Sequence, residues 1–515
     1  MPLPLKQFWQ RLTQGNSSEQ PSSTTPPAQW RMIAAVVVSM GVILTTGVGA
    51  VRWLGWLQSA ELDAYDHLMR RRPQAPTDER FLVIGIDELD IQTRQEFPIR
   101  DDTLTELLTS LLEHEPLAIG LDIARDVPQG SGREQLENVI AESDRIIAAC
   151  LMSGQDNPGI SPAPGTPPER VAFADLPKDP DGTIRRHILV SSPGESLVPL
   201  PSLHQCNQVD PNNQLVSLGF SMALVYLQEQ GIAPSQAESG DILLGDTRLP
   251  RLGSSVVGYR RTGATDYQLL LNYRSAEDAV RVVSLTDVLN QSLDPAWIEG
   301  KVVLIGYTSP IANDVFATPF SGAGRDATFM SGVVLHAQGA SQLINAAMGD
   351  RPLMRYSPKG LEMLFIFAAA LVGGSLTYTN RKVWVFILLQ AGAFMGLYGL
   401  CYIAFTQSVW LPLVPGAIAL VGTGMGVALL DRADKGGYTQ AIYEQVKEQV
   451  QGIVKPQIEI DEDKRKRQVE EITESGYFQD LMARAKTIRE ERKRALDNPL
   501  DGTSSASDKS AADEE

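Results

Sequence analysis

Four long apolar stretches, which together hold one charged residue, constrain this chain more than any other feature. Residues 32–51 read MIAAVVVSMGVILTTGVGAV and carry no acidic or basic side chain. Residues 361–379, 383–405 and 409–430 follow close together, and Glu362 is the one charged residue among them. About 20 residues at 1.5 Å rise cover the roughly 30 Å of a bilayer's hydrocarbon core. Three such runs in succession with short connections are the pattern of membrane spans rather than of helices buried in a soluble core. The mean hydropathy of −0.10 conceals this, because charged segments elsewhere offset the apolar ones. The first run ends in Val48-Gly49-Ala50, small residues that also close a cleavable signal peptide. Its apolar length exceeds an ordinary signal core and begins well inside the chain, so an uncleaved anchor is expected.

The short connections predict orientation, since lysine and arginine favour the cytoplasmic side. Asn380-Arg381-Lys382 links the second and third runs, Thr406-Gln407-Ser408 links the third and fourth, and Asp431-Arg432-Ala433-Asp434-Lys435 follows. With Arg381 and Lys382 inside, the segment 1–31 and the chain after the fourth span are both cytoplasmic. Residues 58–357 then lie outside as one domain. Arg70-Arg71-Arg72 opposes this placement, but it belongs to a large translocated domain where the rule is weak. Trp53 and Trp56 suit the outer interface of the first span.

The region 58–357 reads as an α/β domain with a mixed, partly parallel sheet. Phe81 to Ile86 (FLVIGI), Leu117 to Leu121 (LAIGL) and Val302 to Ile305 (VVLI) are continuous apolar runs, the pattern of strands covered on both faces. Between the first two, Leu104, Leu107, Leu108, Leu111 and Leu112 recur at helical spacing, with Asp101 or Asp102 available as N-cap. A right-handed crossover would lay those strands parallel. Asp179-Pro180-Asp181-Gly182 marks a turn before a strand from Thr183 to Val190, and Leu269 to Tyr273 is a further strand. Helices are expected over Phe220 to Leu227 and Gly332 to Met348.

These segments carry a resemblance. FLVIGIDELDIQ, EFPIRDDTLTELLTSLLEHEPLAIGLDIARD, DPDGTIRRHILV, LLLNYR, KVVLIGYTSPIANDVFATPFSG and MSGVVLHAQGASQLIN, in this order, resemble the second type of CHASE domain, the cyclase and histidine-kinase associated sensory extracellular domain. The resemblance covers roughly Asp63 to Arg351 and includes the family's usual placement of one span before the domain and three after it. It implies a multi-pass sensor of the bacterial cytoplasmic (inner) membrane, its ectodomain usually attached to a cyclase or kinase. Here the chain departs from the pattern. Residues 431–515 hold no histidine, no phosphate-binding glycine loop and no kinase catalytic loop, so no attached enzyme is expected. Residues 431–496 are instead a charged helical region. Within it Ile442, Val446, Val450 and Ile453 share one helical face before Pro456, and a second helix runs from Glu462 to Leu496. Such helices bind each other or a protein partner through 439–496, or stand solvated. Residues 497–515 form an acidic, disordered tail.

Candidate chemistry gathers where strands end. Asp87 and Asp122 follow the first two strands, at the carboxyl ends where open α/β sheets place ligands, with Glu88, Asp90 and Thr308 expected near them in space. As ligand-binding residues, Asp87, Asp122, Thr308 and Arg100 would line a polar pocket for a cation or an amine-bearing solute. Two converging carboxylates also suit acid–base work or a divalent metal. The plainer alternative is that Asp87 and Asp122 cap helices or pair with Arg100 or Arg125. His67, His114, His187, His204 and His336 lack metal-ligand spacing, and His336 reads as a hydrogen-bonded core residue. No catalytic residue, metal or cofactor is assigned. Cys150 and Cys206 share the external domain, where a disulfide persists if their separation allows one.

The resulting expectation is a sensor or adaptor that passes an external signal to a separate partner through its tail. Rival readings are a structural or assembly subunit of a membrane complex, and an extracytoplasmic enzyme using Asp87 and Asp122. A homo-oligomer and an unidentified small-molecule ligand stay open. The net charge of −17, from 45 Lys+Arg and 62 Asp+Glu, excludes a generic nucleic-acid coat.

Overall fold

The computed structural model describes residues 26–253, 256, 258–260, 266–322, 328–379, 383–434, 476, 480 and 483–490. Its helices are α1 (Pro26–Trp53), α2 (Gln58–Arg71), α3 (Glu88–Arg94), α4 (Asp101–Leu112), α5 (Arg133–Glu142), α6 (Leu218–Glu229), α7 (Leu285–Leu289), α8 (Gly332–Met348), α9 (Lys359–Thr379), α10 (Val383–Thr406) and α11 (Leu413–Asp434). The central sheet holds β1 (Asp78–Ile86), β2 (Ala118–Asp122), β3 (Ile146–Cys150), β4 (Val171–Phe173), β5 (Val280–Ser284) and β6 (Val302–Tyr307). Their spatial order is β5-β1-β6-β2-β3-β4, and every neighbouring pair is parallel. Among the described residues antiparallel pairing occurs in smaller sheets, such as the one joining Tyr267–Leu270, Arg186–Ser191 and Leu215–Val216, and in isolated bridges. The mixed α/β character read from the sequence is therefore present, with its parallel part concentrated in one sheet.

The continuous apolar runs arise because this sheet is covered on both sides. Successive side chains of β1 alternate between faces. Phe81 and Val83 pack with Leu62, Tyr65, Leu68 and Met69 of α2 and with the apolar faces of α6 and α8. Leu82, Ile84 and Ile86 pack with Leu104, Leu107 and Leu108 of α4, Leu136 and Ile140 of α5, and Leu285 and Val288 of α7. α4 starts with Arg100 as its N-cap, with no side-chain cap bond. Asp101 lies one residue further in, fully buried, and accepts the Gln129 amide at 3.2 Å. Neither Asp101 nor Asp102 occupies the N-cap position.

Among the described residues four helices are long and apolar enough to cross a membrane. They are parts of α1, α9, α10 and α11. The last begins at Leu413, not at 409, because Val409 and Trp410 pair in parallel with Arg355 and Tyr356. Within the spans α9 and α11 approach so closely at Gly373 that a Cβ there would stand 1.9 Å from the Leu420 carbonyl oxygen. Only glycine permits that contact. The connection at Arg381 and Lys382, the segment 1–25, the helix expected from Thr439 to Val454, most of the one from Glu462 to Leu496 and the tail 497–515 lie outside the described residues. Residues 483–490 are helical.

α2, between the first span and β1, went unrecognised in the sequence, and it organises the structure. Two of its acidic residues, Glu61 and Asp66, are buried, and each meets an arginine, while Asp63 is exposed. Arg52 of α1 holds Glu61 (2.8 Å) and also Glu362 of α9 (2.6 Å). Arg185, 1% exposed, grips both oxygens of Asp66 at 2.7 Å and reaches Asp179 at 2.9 Å and Asp181 at 2.6 Å. The aromatic ring of Tyr65 meets Phe405 and Trp410 at centroid distances of 5.2 and 4.7 Å. The DPDGTIRR segment is thus an anchor for the juxtamembrane helix.

Removing one partner of a buried ion pair leaves the other charge uncompensated, which costs about 3–5 kcal/mol. Arg185→Met should therefore destabilise the detergent-solubilised protein by about that much in denaturant unfolding. Arg248→Met removes a guanidinium that pairs with Asp241 in water and is 59% exposed. It should cost no more than about 1 kcal/mol. Equal losses from the two would contradict the anchoring role.

Candidate functional site at the carboxyl end of the parallel sheet

Each of the sequence-selected residues has a definite place. Asp87 follows β1 as the N-cap of α3, its Oδ1 accepting the Asp90 amide at 2.8 Å, and Asp90 returns the bond to the Asp87 amide at 3.2 Å. Such a capping box satisfies two amides that open a helix. Asp90, 2% exposed, also accepts the amides of Leu285 (3.1 Å) and Thr286 (3.0 Å) at the start of α7. Thr308 donates its amide to the Ile86 carbonyl at 3.0 Å, and its side chain lies over Gly85, where a Cβ would come within 2.7 Å of it. Arg100 donates to Asp102 (2.5 Å) and to Ser131 (2.6 Å).

Asp122 stands apart from Asp87. It ends β2 beside Gly306 of β6, and β6 separates it from β1. Two strand spacings of about 4.8 Å set the Asp87 and Asp122 backbones roughly 10 Å apart. The helix-capping alternative describes Asp87, and Arg100 pairs with neither aspartate.

What surrounds Asp122 is a cluster of titratable groups that the sequence gave no reason to join. His336, on the second turn of α8, places its Nε2 3.9 Å from Asp122 Oδ2, an oxygen that is buried without a hydrogen-bond partner. Asp314 lies at the N-terminus of α8 and is close enough for the charge of Asp122 to act on it. Residue 332 must be glycine for this, since a Cβ there would sit 2.7 Å from both Asp314 carboxylate oxygens. The helix terminus supplies the positive end of a dipole to that carboxylate. His187, 2% exposed, approaches Ser217 Oγ at 3.2 Å and fills the space left by two glycines. A Cβ at Gly219 or Gly339 would meet its ring at 3.0 or 2.7 Å.

Burial governs the titration of the cluster. It pushes the Asp122 carboxyl up to about 7. Burial, then the neighbouring Asp122 charge, pushes Asp314 up to about 8, against the pull of the Gly332 amide and Lys178. Burial holds His336 down to about 4, opposed by the Ala174 carbonyl, and burial together with His336 holds His187 down to about 3. Near neutrality the imidazoles are therefore uncharged, and the two carboxyls exchange protons in the range where a cell's surroundings vary. Groups displaced in this way concentrate at functional sites, although structural pairs show them too. Among the described residues no group of three or more His, Cys, Asp or Glu side chains is arranged to hold a metal ion. The arrangement can store and release protons. The only sequence sign of it was His336 on an apolar helix, which indicates burial but not the partner.

The disulfide partners left open by the sequence, Cys150 at the end of β3 and Cys206, are joined, with Cα atoms 6.4 Å apart. The bond ties the loop around Cys206 to the same carboxyl edge.

A carboxyl whose folded pKa is raised binds a proton that the unfolded chain has released, so stability falls as pH rises through the gap. A histidine whose folded pKa is lowered has the opposite effect below about 6.5. The two contributions oppose each other between about pH 4 and 6.5, and above that only Asp122 and Asp314 act. The melting temperature should fall between pH 6.5 and 8.5, and Asp122→Asn with Asp314→Asn should remove the fall. A flat wild-type profile across that window would contradict the assignment.

A family model described as the CHASE2 domain matches residues 41–375, which include the end of α1, the whole α/β domain and most of α9. No curated protein and no solved structure matches the chain.

Proposed function

The chain belongs to the CHASE2 domain family, a family of sensory extracellular domains, and from that membership we propose that it is a membrane sensor that works through a separate partner. The α/β domain receives a signal on the extracytoplasmic side of the cytoplasmic membrane. The spans carry it across, and the helical tail, cytoplasmic by the distribution of lysine and arginine, delivers it to another protein. In this reading the chain binds and relays and performs no catalysis. The Cys150–Cys206 bond supports the external placement, because such bonds persist in oxidising compartments.

The observation that carries the proposal is the way α2 is held. Its Asp66 is fixed by Arg185 inside the domain, its Glu61 is fixed by Arg52 of the first span, and the same arginine engages Glu362 of the second. His67 and Tyr398 Oη of the third span meet at 3.1 Å, and Tyr402 donates to the Arg71 carbonyl at 3.1 Å. A shift of the domain is thus transmitted to three spans through one short helix. A signal moves this assembly only if it has different affinities for two arrangements of it, and about 1.4 kcal/mol of difference changes their ratio tenfold.

Purification from native membranes, with and without residues 439–515, followed by mass spectrometry, tests the proposal. A protein that co-purifies with the intact chain, disappears on truncation and changes in amount or activity on Arg52→Ala is the expected result. An intact chain without any such protein would overturn it.

A further inference from the structure

The α/β domain has a near end and a far end relative to the spans. α2 leads into the amino end of β1, and the last turn of α8 returns there, with Asn345 Oδ1 accepting from Arg80 at 2.6 Å before the chain enters α9. The amino edge of the parallel sheet therefore adjoins the spans. Ile86, Asp122, Cys150, Phe173 and Tyr307 end their strands at the opposite edge.

Large apolar side chains left in water collect at that far edge. Leu89 and Phe97 follow β1 and are 71% and 47% exposed, Val127 follows β2, and Ile311 follows β6. Leu197 and Leu203, 83% and 74% exposed, lie in the loop that the disulfide ties to the end of β3. Among the described residues of the domain, Val282 on β5 and Met348 at the end of α8 are exposed apolar residues located elsewhere, and Phe329 is exposed shortly before α8. Scattered exposure needs no explanation, whereas apolar groups gathered on one edge mark an interaction surface.

The charges of this edge identify the occupant. Glu88, Asp126, Asp156, Glu195 and Asp210 are exposed among the apolar residues; of the exposed cations there, Arg100 is engaged by Asp102 and Ser131, and Lys178 lies over the Phe316 ring beside Asp314. A second copy would bring acidic groups against acidic groups, which is repulsive. A surface of opposite charge is attracted and oriented by them.

We propose that the carboxyl edge of the parallel sheet is a docking surface for a polypeptide that presents lysine or arginine beside apolar side chains. The inference rests on the sensor reading and supplies the class of its external ligand.

The test uses the full chain in nanodiscs of uncharged lipid, titrated with a helical Lys/Leu peptide and with Glu/Leu and Lys/Ser peptides of equal length. The Lys/Leu peptide should bind at least about tenfold more tightly than either of the others, the sum of a few exposed charge and apolar contacts. Asp126→Asn with Asp156→Asn and Glu195→Gln, changes that keep side-chain size and fold, should remove about that tenfold. Leu197→Ser with Leu203→Ser should do the same. Glu229→Gln with Glu277→Gln and Asp278→Asn, near the other edge, should leave affinity unchanged. An equal loss in that control, equal binding of the three peptides, binding to empty nanodiscs alone, or self-association that the edge substitutions abolish would each overturn the proposal. The titration does not involve the tail, so docking that occurs as expected without any tail-dependent partner would defeat the sensor reading and leave this surface standing.

Discussion

Two carboxylates on one short helix could not be buried unless two arginines from elsewhere came to meet them. Glu61 and Asp66 of α2 are 2% and 8% exposed, and each would be strongly destabilising alone. Arg52 arrives from the end of α1 and Arg185 from a turn in the middle of the domain. The α/β domain, the first span and the second span are oriented by this requirement. The aromatic contacts of Tyr65 with Phe405 and Trp410 bring the third span and the loop after it into the same arrangement. Apolar burial supplies most of the attraction, but it is not directional, and paired charges are.

The same logic separates structural from responsive groups at the carboxyl edge. Asp87 and Asp90 are satisfied by amides and act as fixed parts of the frame. His187 and His336 are buried and Asp122 and Asp314 half-buried with less compensation, so their protonation is coupled to the packing of α8 against the sheet. Above them the surface is acidic and apolar.

Much of this frame was legible in the residues. The spans were readable because uncharged runs of that length have one common use, and β1, β2 and β6 because strands covered on both faces lose their polar alternation. α2 was not, since QSAELDAYDHLMRR has the composition of a solvated surface helix, and its burial depends on arginines distant in sequence. The candidate site was half legible. Asp87 and Asp122 stand at strand ends as their positions suggested, but β6 enters between β1 and β2, and sheet order follows from long-range pairing that no local pattern encodes. Arg100 was expected near the aspartates and is instead satisfied two residues away by Asp102. The neighbours of Asp122 come from Asp314 and His336, which only the packing of α8 brings to the sheet.

The central claim is that the paired charges of α2 make the domain and the spans one mechanical unit. Spin labels at Glu106 on α4 and Val42 on α1, both exposed, would report the distance between them by pulsed electron resonance in nanodiscs after Cys401→Ser. The account predicts one narrow distance distribution for the wild-type pair and a broadened one after Arg52→Ala. A distribution that stays equally narrow without Arg52 would contradict it.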